Sequence, residues 1–190
     1  MQGMVDWPAR MKEMMGFVGI AQADLDLVRD TSPLILKHAE GLADAVYDHF
    51  LKFPPARQFF VTERGEPDQA QLARRKHSLI RWFRSTIEFK VDEDFPISLL
   101  ATGIVHSHPP THRAHLGSIP SRFMIGTISF AQTALAELFR RELGDPDLAM
   151  RSSAAWNKLL MVQLDILLAG YVTEHPIAPA QMASGSPPLA

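Results

Sequence analysis

His106 closes an apolar stretch, Ile97-Ser-Leu-Leu-Ala-Thr-Gly-Ile-Val105, and polar, proline-broken sequence follows at once: Ser107-His-Pro-Pro-Thr-His-Arg113. An imidazole on the last turn of an apolar helix can present one ring nitrogen to a buried metal or haem iron. A backbone carbonyl one turn back can hold the other nitrogen. Three further imidazoles follow, giving His106-x-His108-x-x-x-His112-x-x-His115. Such clustering can bind zinc, or another transition metal where a carboxylate joins. A hydrolytic zinc site would also need a general base and an open coordination position, and the spacing places neither. Pro109 and Pro110 interrupt the helix, so the four rings need not converge, and a loop of solvated histidines is the plainer reading. His112 or His115 is the fallback ligand should His106 not serve.

The elements that carry these residues have to come from one modest chain. A length of 190 residues is within the range of a single domain, and 46% hydrophobic residues suffice for a core. Nineteen Lys+Arg against 21 Asp+Glu leave a net charge of −2, without the basic patch that nucleic acid requires. The lack of cysteine excludes disulfides, iron–sulfur ligation, a thiolate-ligated haem, covalent haem attachment and a cysteine nucleophile. It fits a reducing, cytoplasmic setting. The N-terminus lacks a charged segment followed by an apolar run, so no signal peptide is expected. Charges interrupt every apolar stretch well before about 18 residues, so no membrane span is expected.

Helical periodicity runs through nearly every segment, and no run alternates as a strand. Asp6-Trp-Pro-Ala opens a short helix to about Met15. A second is expected over Ala21 to about Arg29. Ser32-Pro33 opens a third to about Lys52, with Leu36, Leu42, Val46, Phe50 and Phe53 at spacings near three and four. Pro54-Pro55 ends it and starts a brief helical turn through Phe60, and a loop covers Thr62 to Pro67. A long helix spans Asp68 to about Phe89, with Leu72, Leu79, Ile80, Phe83 and Ile87 along one side. Asp92 to Ser107 is the helix that carries His106, and Pro109 to Gly117 is irregular. Ser118 can cap the next helix, which runs to about Leu143 with Pro120 near its first turn. Gly144-Asp-Pro is a stop-and-start signal, and Asp145 can cap a last helix from Pro146 to about Val172. The tail from Pro176 is disordered by composition.

The chain is therefore all-α. In its last helix, Trp156, Leu159, Leu160, Val162, Leu164, Ile166, Leu167 and Leu168 cover more than one face. Either one face fills the core and another forms a dimer interface, or the helix is buried all round. Asp165 in this apolar helix needs a partner if buried. Lys158 shares its face but lies too far away for an i,i+4 pair, which leaves a residue of a second subunit, or partial exposure.

Three stretches resemble the protoglobins and the globin domains of globin-coupled sensors, over roughly Phe17 to Tyr171. Ala45-Val-Tyr47-Asp-His-Phe-Leu51 is similar to the family's B helix with its aromatic distal residue. Gly103-Ile-Val-His106, a loop, and Ile119-Pro-Ser-Arg-Phe-Met-Ile-Gly126 are similar to its F helix, F–G loop and G-helix start. Ala155-Trp-Asn-Lys to Gly170-Tyr171 is similar to its H helix. The resemblance implies a globin fold, a 3-over-3 sandwich with an extra N-terminal helix. Its divisions would be an N-terminal helix in 1–16, a globin unit over 17–175 and a tail over 176–190. It further implies haem b between the E and F helices, with His106 as proximal iron ligand and Tyr47 facing bound gas.

The remaining residues are read within that frame. A phenol at Tyr47 can donate to bound dioxygen, which takes negative charge, more effectively than to carbon monoxide; otherwise it is a half-buried surface tyrosine. His77 is a distal ligand candidate, or a solvent-facing neighbour of Arg74, Arg75 and Lys76. Leu79, Ile80 and Phe83 are expected to supply apolar pocket wall, and Trp82 is wall or packing. Lys76 or Arg81 can meet a haem propionate. Phe123, Met124, Ile128 and Phe130 begin the G helix, on the haem face away from Tyr47 or in ordinary core.

The expected function is reversible binding of O2, and of CO and NO, by a gas sensor or gas-handling globin that is not itself an enzyme. It would be cytoplasmic and homodimeric through its last two helices, with neither nucleic acid nor membrane as partner. Two other classes fit the same residues. One is a haem enzyme such as an NO dioxygenase or peroxidase, which would need an electron donor. The other is a helical interaction module, zinc-binding or without a cofactor.

Overall fold

Aspartate caps open three of the helices in the computed structural model, which describes residues 5–62, 64–88, 91, 94–111 and 117–172. Asp6 accepts from the Ala9 N–H at 3.0 Å and starts α1, Trp7–Phe17. Asp68 accepts from the Gln71 N–H at 2.9 Å and starts α4, Gln69–Ile87. Asp145 accepts from the Asp147 and Leu148 N–H groups and starts α7, Pro146–Val172. Each satisfies amide donors that a first helical turn leaves without partners. The other helices are α2 (Gln22–Lys52), α3 (Pro54–Arg57), α5 (Phe95–Ser107) and α6 (Ser121–Glu142), with a 3-10 turn over Gln58–Phe60. Among the described residues no strand forms, only an isolated bridge between Val61 and Pro67. The expected ends near Phe89 and Asp92, and the tail over 176–190, lie outside the described residues.

Two local expectations fail, for identifiable reasons. The break at Ser32-Pro33 does not occur: α2 runs through Pro33. Ser32 does not cap a new helix, because its hydroxyl donates back to the Val28 carbonyl at 2.6 Å, and Thr31 donates to Leu27 at 2.7 Å. Pro33 itself is exposed, so its ring meets solvent, and tertiary burial on both sides carries the helix past the missing hydrogen bond. Ser118 does not cap α6 either; that helix opens directly behind Pro120, without a side-chain cap.

The helix α7 is the centre of the fold. Trp156, Leu159, Leu160, Val162, Leu164, Ile166 and Leu167 are all buried within the single chain. They divide between one core cluster shared with α2, α4 and α6 and another shared with α1 and α5. The Trp156 indole donates to Thr31 Oγ1 at 2.9 Å, tying α7 to α2. Asp165 is not left to a second subunit or to solvent: Arg10 of α1 grips it through two hydrogen bonds of 2.7 and 2.8 Å. Lys158 instead reaches the Gly19 carbonyl and Asp24, each at 2.9 Å. Burial works to raise the Asp24 pKa, but the Ala21 N–H and Lys158 outweigh it and hold the carboxyl below its ordinary value.

Helix α5 meets α7 backbone to backbone. A methyl group on Gly170 would fall 2.6 Å from the Ile104 nitrogen and 2.8 Å from the Leu100 oxygen, and one on Gly103 would fall on the Leu167 carbonyl. Glycine at both positions permits this approach. Ser107 closes the seam, its hydroxyl lying 2.9 Å from the Gly170 carbonyl.

Candidate functional site

The seam fixes α5 with one side against α7 and its C-terminal turn on a cavity of about 570 Å³. That volume is within the range of cofactor pockets. Val46, Tyr47 and Phe50 of α2 and Phe59 and Phe60 of the 3-10 turn form one side. Leu79 and Trp82 of α4, His106 of α5, and Phe123 and Met124 of α6 complete much of the rest.

His106 sits on the last turn of α5 because the chain cannot continue helically. Its neighbour His108 precedes Pro109 and has φ −128° and ψ 81°, since a residue before proline is driven out of the helical region. His106 Nδ1 lies 2.7 Å from the Thr102 carbonyl oxygen, one turn back. A carbonyl only accepts, so Nδ1 carries the proton and, in the neutral ring, Nε2 carries the lone pair. The backbone carbonyl of His106 accepts from the Ile119 N–H at 2.9 Å, which ties the return of the chain to the same turn. His108 is exposed, with Nδ1 2.9 Å from Ser107 Oγ. His112 and His115 lie outside the described residues; among the described residues no group of three metal-ligating side chains gathers.

Tyr47 is 8% exposed on the opposite helix. Its ring meets Phe50 and Phe60 edge to face, with centroids 5.7 and 5.5 Å away, while those two rings stack on each other. Burial pushes its pKa up to about 12, against a weaker opposing effect of Arg75, so the phenol stays protonated and remains a donor. Phe123 lines the cavity and packs on Phe59 at 6.1 Å.

Of the residues singled out from sequence, His106, Tyr47 and Phe123 therefore come together, with Leu79, Trp82, Met124 and Ile128 beside them, whereas Phe83, Ile80 and His77 do not join the lining. Phe83 is 2% exposed within the core cluster of α7. Ile80 is partly buried but outside the lining, and His77 faces solvent. The wall that α4 contributes includes the expected Leu79, Trp82 and Arg81, together with Arg75, Ser78 and Ser85. Those positions recur at three and four; Leu79 belongs to the apolar stripe, and the others lie beside it. Hydrophobic periodicity marks the face packed on the core, so the two serines and two arginines of the cavity face leave no apolar signal. Lys76 pairs with Asp44 at 2.7 Å. Phe59 and Phe60 went unremarked in sequence; their signal was a pair of aromatics in a short turn directly behind the Tyr47 helix.

An all-helical sandwich with a histidine-bearing helix along one side of a deep apolar cavity defines the globin class. The comparisons agree on the fold. The globin domain of a Geobacter sulfurreducens globin-coupled sensor superposes with a TM-score of 0.66 at 20% identity, over 85% of this chain and 97% of that one. The globin domain of E. coli DosC, in its ferric form I, gives 0.62 at 17% identity, over 85% and 99%. No curated protein sequence matches the chain. The protoglobin family model matches residues 8–176, and the chain belongs to that family.

Proposed function

We propose that the cavity binds haem b, with His106 as the proximal ligand, and that the chain reversibly binds O2, and also CO and NO, as a gas sensor or gas-handling globin. One observation carries the reading. His106 lies on the cavity wall with its Nδ1 proton committed to the Thr102 carbonyl, which puts the basic lone pair on the other nitrogen. A hydrogen bond from the other ring nitrogen to a backbone carbonyl orients a ligating imidazole and raises its basicity. The apolar wall of Leu79, Leu99, Val105, Phe123 and Leu167 suits a porphyrin plane, and Arg81 suits a propionate.

When bound, haem supplies an iron position open to a diatomic gas. The chain supplies the rest. His106 holds from one side, and Tyr47 offers a protonated phenol from the other. The stacked Phe50 and Phe60 keep that phenol in place and exclude water. A homodimer through α6 and α7 accompanies this reading, supported by exposed Ile125, Met150 and Met161 on those helices. A cytoplasmic setting is supported by the cysteine-free composition. No described helix is long and apolar enough to cross a membrane.

Absorption spectra of protein produced with a haem supply test the proposal, in ferric, ferrous, O2 and CO forms. A strong Soret band with stable gas complexes, lost in His106→Ala, is the expected outcome. Protein that stays colourless on haem titration, or His106→Ala that incorporates haem normally, refutes it.

A further inference from the structure

Gln163 lies on α7 with no exposure at all, yet it is a full-length amide between two apolar clusters. Its side-chain oxygen accepts from Trp82 Nε1 at 2.9 Å and from Thr86 Oγ1 at 3.2 Å. The indole nitrogen can only donate. Exchanging the amide oxygen and nitrogen would set a donor against it, so the orientation follows from the chemistry. The amide nitrogen, Nε2, is buried with no partner among the described residues. A residue that buries an unpaired donor in a core is one that a nonpolar side chain could replace at lower cost to folding.

The other end of this contact is the cavity. Trp82 lines it from α4, with its ring tilted on Phe83 at 5.0 Å. Because the indole N–H is held by Gln163, its polar edge points away from the cavity into the core. Deprived of that acceptor, the N–H would be left unpaired in the core, and a turn of the ring toward the cavity that Trp82 lines would give it open space in which to find another.

We infer that Gln163 is a positioning residue that fixes Trp82 as an apolar wall of the cavity and keeps an indole donor out of the space where gas binds. The consequence for gas rests on the haem reading above; the placement of Trp82 does not. Two arms of one experiment separate them.

The first arm uses the full chain without haem, labelled with 15N. Its three tryptophans, Trp7, Trp82 and Trp156, give three indole N–H signals, and Trp82→Phe assigns one by its loss. Gln163→Met is expected to speed hydrogen exchange at that signal about tenfold, the effect of one ordinary hydrogen bond. Thr86→Val, which removes the other donor to the same oxygen, is expected to leave it protected. The second arm uses haem-loaded protein. Gln163→Met is expected to change the ratio of O2 to CO dissociation rates by about fivefold or more, and to add nothing in a Trp82→Phe background.

Unchanged exchange at Trp82 in Gln163→Met overturns the placement. Gas effects that add to those of Trp82→Phe overturn the role in gas binding, because Gln163 would then act by another route. Should the wild-type chain take up no haem, the haem reading fails and the exchange arm alone decides where the indole is held.

Discussion

Replacing Gly170 with alanine puts one methyl group into the seam between α5 and α7. Its carbon would lie 2.6 Å from the Ile104 nitrogen and 2.8 Å from both the Gly103 carbon and the Leu100 oxygen. All three are backbone atoms of α5, so no side chain can swing aside. Restoring ordinary contact near 3.4 Å requires α5 to retreat by about 0.8 Å. Overpacking costs about 1–3 kcal/mol where neighbours can adjust, and rigid neighbours put this site near the upper end. Alanine in place of glycine in a helix interior returns about 1 kcal/mol, leaving a net loss of about 2 kcal/mol. For a chain of this size that is about 4–8 °C in melting temperature. Gly41→Ala in α2 is the control, since a methyl there meets nothing within 4 Å; it is expected to gain up to about 1 kcal/mol. Thermal unfolding followed by circular dichroism compares the two. Gly170→Ala melting at or above Gly41→Ala would refute the backbone contact. The retreat also carries the turn with His106, so haem affinity is expected to fall in Gly170→Ala and to be unchanged in Gly41→Ala.

Three further outcomes are expected. Tyr47→Phe raises the O2 dissociation rate far more than that of CO in stopped-flow measurements; equal changes would remove the phenol from the gas site. Both tyrosines, Tyr47 and Tyr171, have pKa values raised by burial from 10.0 to about 12. A raised pKa means the folded state holds the proton more tightly, so their contribution to stability is complete below pH 10.0 and is lost as the pH climbs through about 12. Absorbance titration near 295 nm should show no phenolate in folded protein at a pH where free tyrosine is half ionised. Arg10→Ala loses the paired hydrogen bonds to Asp165; with the arginine side chain 39% exposed, the cost is about 1 kcal/mol, and it should shrink in high salt. A cost independent of salt would point to lost packing of the arginine stem instead.

What was legible in the sequence was local. Asp68 and Asp145 announced their helices because a cap acts within three residues. Pro109 marked the end of the His106 helix because proline constrains its immediate predecessor. The continuity of α2 was hidden, since nothing near Pro33 says that Thr31 and Ser32 will turn their hydroxyls back into the helix, or that Trp156 will bind one of them. Arg10 and Asp165 are 155 residues apart, beyond any periodicity. On α4 the expected Leu79 and Trp82 line the cavity and Ile80 and Phe83 do not, for a related reason: apolar spacing reports burial against protein, and it does not pick out the part of the wall that bears Ser78 and Ser85.

The central place of α7 has a consequence for the order of synthesis. Each earlier helix except the short α3 joins it through a named contact or core cluster: Arg10 of α1, Thr31 of α2, Trp82 of α4, Gly103 of α5, Leu135 and Phe139 of α6. It is also the last of the described helices to leave a ribosome. Until it emerges, the inner faces of the others have no surface to close on, so native packing cannot spread domain-fashion from the N-terminus as the chain grows. Local helices can form on the nascent chain, but the cavity and its histidine turn take shape only once α7 has emerged, in one cooperative step governed by contacts far apart in sequence.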